Sequence, residues 1–312
     1  MVKLALVSPC YNEEEVLTNS AARLTLLFDR LIKTGKISPD SFVLFVNDGS
    51  KDHTWEIIKK LNQNDSRFHG IDLAHNSGHQ TAIMAGMMTV RDDCDAVITI
   101  DADLQDDIDV IENMVDSYEN GYDVVYGVKV SRDGDSRMKR FTAMAFYKLQ
   151  RKMGVEAIYN HADFRLLSKR VLDELARFDE RNLYLRGIIP LIGYPSTTAN
   201  DTISERQGGK SKYTFKKMFS LALDGITSFS VQPIYGILSV GVIFMIISVA
   251  IGIYVLYSIV TDSAVSGWSS LIISIWFVGG VILLSVGVVG LYIGKIFSEV
   301  KHRPRYSVKE RV

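Results

Sequence analysis

"DAVITIDADLQDD", residues 95–107, decides the fold. An apolar, partly β-branched run ends abruptly in aspartates, the pattern of a buried strand opening into a polar loop at its carboxyl end. Like charges crowded there repel one another, so either water surrounds the loop or a cation sits among them. Working outward, "LALVS" before "PCYNEEE", "SFVLFVNDGS", "FHGIDLA" before "HNSGHQTAIMAGMMTV", and "YDVVYGVKV" repeat the apolar run. Helical spacing at Val16, Leu24, Leu27 and Leu31 separates the first two, and Asp52 is placed to cap the helix after the second. Strands alternating with helices predict a mostly parallel, doubly wound α/β sheet, in which ligands bind outside the carboxyl ends of the strands. "SPCYNE", "NDGS", "NSGH" and "DADLQ" therefore converge on one edge.

The overall charge of -1 conceals an asymmetry, because from Gly225 to Gly294 the only charged side chain is Asp262. Pro233–Val260 and Leu271–Gly294 are each long enough to cross a bilayer, which takes about 20 residues. Two transmembrane helices, about 233–260 and 269–295 within 231–297, are expected. Lys210, Lys212, Lys216 and Lys217 precede them and Lys295, Lys301, Arg303, Arg305, Lys309 and Arg311 follow, whereas the connector "TDSAVSGW" carries no Lys or Arg. By the positive-inside rule both termini and the catalytic part (1–212) are cytoplasmic, with an amphipathic segment at 213–230 and a basic tail at 298–312. The location expected is the bacterial inner membrane, multi-pass, with no signal peptide and no nucleic-acid partner. Cys10 and Cys94 lack metal-ligand spacing and read as small apolar fillers.

At the converging edge, Asp101 and Asp103 lie two apart and would share one face of an extended segment. With Gln105 they offer hard oxygen ligands suited to Mg²⁺ or Mn²⁺ that also bind phosphate. Glu13 and Asp48 are placed to accept hydrogen bonds from a base or ribose, and Pro9 and Tyr11 to flank a ring. "SRDGDSRMKRFTAMAFYKLQRKM" sets Met138, Phe141, Ala145 and Leu149 on one helical face among cations, as suits a lipid interface. Arg132, Arg137 and Arg140 are candidates to grip a phosphate, Arg132 also counting as catalytic. "RQGGKSKY" places Arg206, Lys210 and Lys212 on a glycine-bearing loop able to close over a diphosphate. Asp163 in "HADFRLL" is a candidate general base or a positioning carboxylate, and His161 reads as a turn residue.

Taken together, "SPCYNEEE", "VNDGSKDHT", "NSGHQTA", "DADLQD", "HADFRLLSKR" and "RQGGKSKY" resemble the family 2 glycosyltransferases of the GT-A fold. More narrowly they resemble the polyprenyl-phosphate glycosyltransferases, the group of dolichol-phosphate mannose synthase and the bactoprenol glucosyltransferases. The resemblance covers about Val2 to Met218. It implies a nucleotide-diphosphate sugar donor, a divalent metal, a polyprenyl phosphate acceptor and inversion at the anomeric carbon. By the same resemblance Asp101, Asp103 and Gln105 hold metal and diphosphate, Asp103 is catalytic, and Pro9, Tyr11, Glu13, Asp48 and Ala102 line the donor site. Asn47 departs from the pattern, since many relatives carry a second aspartate there.

The activity expected is transfer of one hexose to undecaprenyl phosphate, UDP-glucose being the first choice of donor, then UDP-N-acetylglucosamine, then GDP-mannose. A homo-oligomer packed through the spans, a separate flippase and a downstream transferase would complete the pathway. A processive polysaccharide synthase is the rival; its QxxRW signature is missing, since none of Trp55, Trp268 and Trp276 follows an arginine. A catalytically silent scaffold is the second, and it should show gaps in these clusters.

Overall fold

The computed structural model describes residues 1–129, 161–181, 183–201, 232–260 and 267–312. One unit holds the sheet together with Arg303–Val312, and a second holds two long C-terminal helices. In the first, β1 (Leu4–Cys10), α1 (Leu17–Lys33), β2 (Phe42–Asn47), α2 (Thr54–Asn64), β3 (Phe68–Leu73), α3 (His79–Val90), β4 (Ala96–Thr99), α4 (Val110–Glu119) and β5 (Val124–Lys129) alternate as expected. β6 (His161–Ser168), α5 (Lys169–Leu175), α6 (Leu185–Leu191) and β7 (Ser196–Asp201) follow. The second unit holds α7 (Gln232–Val260) and α8 (Trp268–Val300), after which the chain adds β8 (Val308–Arg311) to the sheet.

The sheet runs β7-β5-β6-β4-β1-β2-β3-β8. β1 pairs in parallel with β2 and β4, β2 with β3, and β5 with β7. β6 lies antiparallel between β4 and β5, so His161 begins a strand and is no turn residue. Leu17, Leu24, Phe28 and Leu31 of α1 are buried in the main core, each at most 1% exposed. Val16 falls just outside the helix, so Leu17 takes the buried place expected of it. α3 lies close on the sheet because Gly86 has no side chain: a Cβ there would stand 2.8 Å from Val46 Cγ2. Cys10 and Cys94 are buried and free, as expected, and burial pushes the Cys94 thiol up to about 12.

The basic tail ends in a strand. β8 pairs antiparallel with β3, with Val312 N and Gly70 N each 2.9 Å from the other residue's carbonyl oxygen. Glu310 accepts from Trp55 Nε1 at 2.8 Å, and Arg311 lies 3.9 Å from Asp93. Arg305 donates to the Phe178 carbonyl. The tail has carboxylate and carbonyl partners because it covers the exposed edge of β3, where unpaired N–H and C=O groups would otherwise face solvent.

Among the described residues one segment is long and apolar enough to cross a membrane, Phe277–Val300 in α8, with a mean hydropathy of 2.2. In α7 the described apolar run Ile234–Phe244 is shorter. Both helices carry exposed large apolar side chains, including Ile246, Ile253, Leu283 and Leu284.

Candidate active site

The carboxyl ends of β1, β2, β3 and β4 carry the clusters picked out in the sequence. β1 runs through Pro9 to Cys10, so Pro9 is a strand residue in register with Val46, and Tyr11 is the first, exposed residue beyond. Asn12 has φ 54, a left-handed conformation that asparagine tolerates. The loops after β1 and β2 are laced together. Asn12 N donates to Ser50 Oγ at 3.0 Å, Lys51 N to Asn12 Oδ1 at 2.8 Å, and Glu13 N to Thr54 Oγ1 at 3.0 Å. Asp52 accepts from the Thr54 amide at 3.1 Å and so caps the start of α2.

Asp48 is 3% exposed, and its oxygens accept from Ser77 N at 2.7 Å and Gly78 N at 3.0 Å. Its first role in the structure is therefore to hold the loop after β3. Gly49 lets the two loops approach: it has φ 63, and a Cβ would stand 2.6 Å from Asn76 N. Asn47 Nδ2 donates to Asp72 Oδ1 at 2.6 Å. An aspartate in its place would set two buried carboxylates against each other, which explains the departure seen in the sequence.

The extended arrangement expected of Asp101 and Asp103 is corrected to a turn. Leu104 N donates to Asp101 O at 3.1 Å, and Leu104 has φ 46. Ala102 points into the core at 4% exposure, and its carbonyl accepts from Ser20 Oγ at 2.6 Å, so its side chain cannot line the donor site. Gln105 and Asp103 are partly exposed. Asp101 is the outermost group, its side chain 51% exposed. The protein around its base pushes its pKa up to about 6; His79 opposes this, and Asp163, Asp106 and Asp103 reinforce it. Among the described residues no three His, Cys, Asp or Glu side chains group as a closed metal site. By its chemistry the turn offers carboxylate and amide oxygens, donors of the kind a hard divalent cation takes together with phosphate or water.

Asp163 is brought to this edge by β6, and its surroundings do not suit a general base. Gln80 Nε2 donates to its Oδ2 at 3.1 Å, and Arg186 spans both oxygens at 3.2 and 3.3 Å. Arg165, 1% exposed, donates to its Oδ1, and His79 Nε2 lies 3.4 Å away. Burial would raise its pKa, but Arg186, His79 and Arg165 hold it well below the usual carboxylate range. A carboxylate so stabilised has little basicity. His79 also approaches Asp101, at 3.6 Å, and joins the two carboxylates. Burial disfavours its charge, but Asp163 and Asp101 prevail and raise its pKa. Gln80 Oε1 accepts from Leu185 N at 3.1 Å, which ties α3, β6 and α6 into one cluster. His79 and Gln80 entered the sequence reading only within "NSGHQTA" and Arg165 only as a side chain that Asp163 could position, while Arg186 was not singled out. The only cue for the first two was their place directly after the glycine that opens α3. Arg132, Arg137, Arg140, Arg206 and Lys212 lie outside the described residues.

A mostly parallel sheet of this order, with an aspartate-bearing turn after β4, is of the GT-A type. The family follows. Residues 5–176 match the model of glycosyl transferase family 2, and the chain belongs to that family. It is 48% identical to an uncharacterized glycosyltransferase, YkoT, of Bacillus subtilis (strain 168), over 98% of this chain and 90% of that one. It is 37% identical to the bactoprenol glucosyl transferase of Shigella phage SfX, over 99% of this chain and 100% of that one. A mycobacterial protein of solved structure matches 72% of this chain and 73% of its own with a TM-score of 0.50 at 12% identity, a likeness of fold alone.

Proposed function

We propose that this protein transfers a single hexose, glucose from UDP-glucose, to undecaprenyl phosphate at the cytoplasmic face of the bacterial inner membrane. The reading rests above all on relatives named bactoprenol glucosyl transferase that align along 99% of the chain. The acidic turn after β4 supplies the chemistry that such a reaction needs. α7 and α8 are the two membrane spans of this reading, their exposed apolar side chains suited to lipid.

Asp101, Asp103 and Gln105 would hold Mg²⁺ or Mn²⁺, which when bound neutralises charge on the departing diphosphate. An oxygen of the acceptor phosphate attacks the anomeric carbon opposite the diphosphate, whose bond to that carbon breaks, so an α-linked donor gives a β-linked lipid phosphosugar. The second pKa of a phosphate monoester is about 6, so the nucleophile is largely ionised at neutral pH and needs orientation more than deprotonation. Arg132, Arg137 and Arg140 orient it, and Arg206 and Lys212 accompany the diphosphate. Asp163 serves as an anchor: it fixes Arg186 and His79 beside the acidic turn. Pro9, Tyr11 and Glu13 bound the nucleoside. A homo-oligomer, a flippase and a downstream transferase belong to the same reading.

Membranes carrying the full-length protein, supplied with radiolabelled UDP-glucose, test it. Label is expected in the organic-soluble lipid fraction, and Asp103→Ala should remove it. Retention of normal labelling by Asp103→Ala would refute the metal assignment. Labelled polymer would favour the processive synthase.

A further inference from the structure

β8 is the edge strand of the sheet, and it pairs with the end of β3 that leads into the donor loops. Asp72 is in register with Glu310 but Leu73 with Val308, so Lys309 is an extra residue on β8, a bulge. Bulges re-aim side chains. Lys309 Nζ lies 2.8 Å from Asp72 Oδ2, while Asp72 Oδ1 accepts from Asn47 Nδ2 at 2.6 Å. Asp72 and Asn47 are 3% and 2% exposed. Asn47 ends β2, and the next residue, Asp48, holds the Ser77 and Gly78 amides. A continuous line of contacts thus runs from the C-terminal strand to the loop assigned to the nucleoside.

The charges give this line a direction. A buried carboxylate needs a compensating partner, and Lys309 supplies the positive one. The same carboxylate turns the Asn47 amide so that its Nδ2 meets Asp72, which leaves Asn47 Oδ1 buried with no partner among the described residues.

We propose that Lys309 is a positioning residue for donor binding: through Asp72 and Asn47 it fixes the end of β2 that carries Asp48. This rests on the nucleotide-sugar reading above, and it makes the C-terminal strand part of the donor half of the enzyme.

The test uses full-length protein in detergent with UDP-glucose and MgCl₂, and reads donor KM, kcat, UDP affinity by calorimetry, and Tm. Lys309→Met should raise the donor KM and the UDP Kd about fivefold, with kcat little changed. Lys309→Arg, and Asp72→Asn combined with Lys309→Met, should restore the KM. Glu310→Gln weakens the contact to Trp55 and should lower Tm without moving the KM. An unchanged KM in Lys309→Met, or an equal rise in Glu310→Gln, would overturn the proposal. A wild-type protein that binds no UDP-glucose would overturn the nucleotide-sugar reading as well, so the two failures are distinct.

Discussion

Replacing Asp163 by Asn separates an anchor from a base. The substitution keeps shape and removes charge. Arg165, 1% exposed, then remains as a buried cation beside an amide, and its Nη1 already lacks a partner among the described residues. Breaking a buried pair in this way costs about 3 kcal/mol or somewhat more. Arg186 adds little to that figure, because its side chain is 32% exposed and can turn to water. For a domain of this size about 3 kcal/mol corresponds to a Tm about 6–12 °C lower. Thermal unfolding of the purified protein, followed by intrinsic fluorescence alongside turnover, reads both quantities. The pH dependence has a definite sign. The folded-state pKa of Asp163 is depressed, so its contribution is present above the unfolded value near 3.9 and is lost only as pH falls through the folded value below it. His79, whose pKa Asp163 helps to raise, adds a part that is present below its unfolded value near 6.5 and lost as pH rises through its folded value. The Tm gap between wild type and Asp163→Asn should therefore narrow as pH rises from 5 to 8. A variant that keeps its Tm within about 2 °C while turnover falls about a hundredfold or more would refute the anchor and restore the base.

Other substitutions probe the same edge. Gly49→Ala, which forces a Cβ against Asn76 and His75, should weaken UDP-glucose binding by at least about tenfold and lower Tm, as calorimetry and unfolding would show. Asn47→Asp should destabilise the protein by about 2 kcal/mol at pH 7, with the loss shrinking as pH falls toward 4 because the added carboxylate protonates first; Asp72→Asn in the same chain should reverse it. Asp103→Ala should abolish transfer while leaving Tm in the absence of metal and donor within about 1 °C, since a partly exposed surface aspartate carries little stability.

The first five strands and their order of helices were legible because each strand is an apolar run that stops at turn residues. β6 was hidden: "HADFRLL" carries Asp163 and a fully buried Arg165, which break the apolar pattern of a central strand. β7, "STTAND", lies at the sheet's edge and has almost no apolar content. β8 was read only as part of a basic tail, because its charges reveal nothing about Asp72 and Asp93, the carboxylates distant in sequence that meet them. The site was legible as a set of clusters at strand ends, but the side-chain partners were not. Asp48 was placed at the edge by its cluster, and Asp163 was noted as a carboxylate of interest without a place in the sheet. Their roles depended on the Ser77 and Gly78 amides and on Arg186, which only the folded chain brings near. The turn at Asp101–Leu104 had no local signal, since leucine seldom adopts a positive φ.

Mass spectrometry of the lipid formed by purified protein, undecaprenyl phosphate and each of UDP-glucose, UDP-N-acetylglucosamine and GDP-mannose tests the central claim most directly. The expected product is undecaprenyl phosphate heavier by one hexose, formed from UDP-glucose in Mg²⁺ or Mn²⁺ and lost on chelation. No glycosylated lipid from any of the three donors, or product at full rate without a divalent cation, would contradict it.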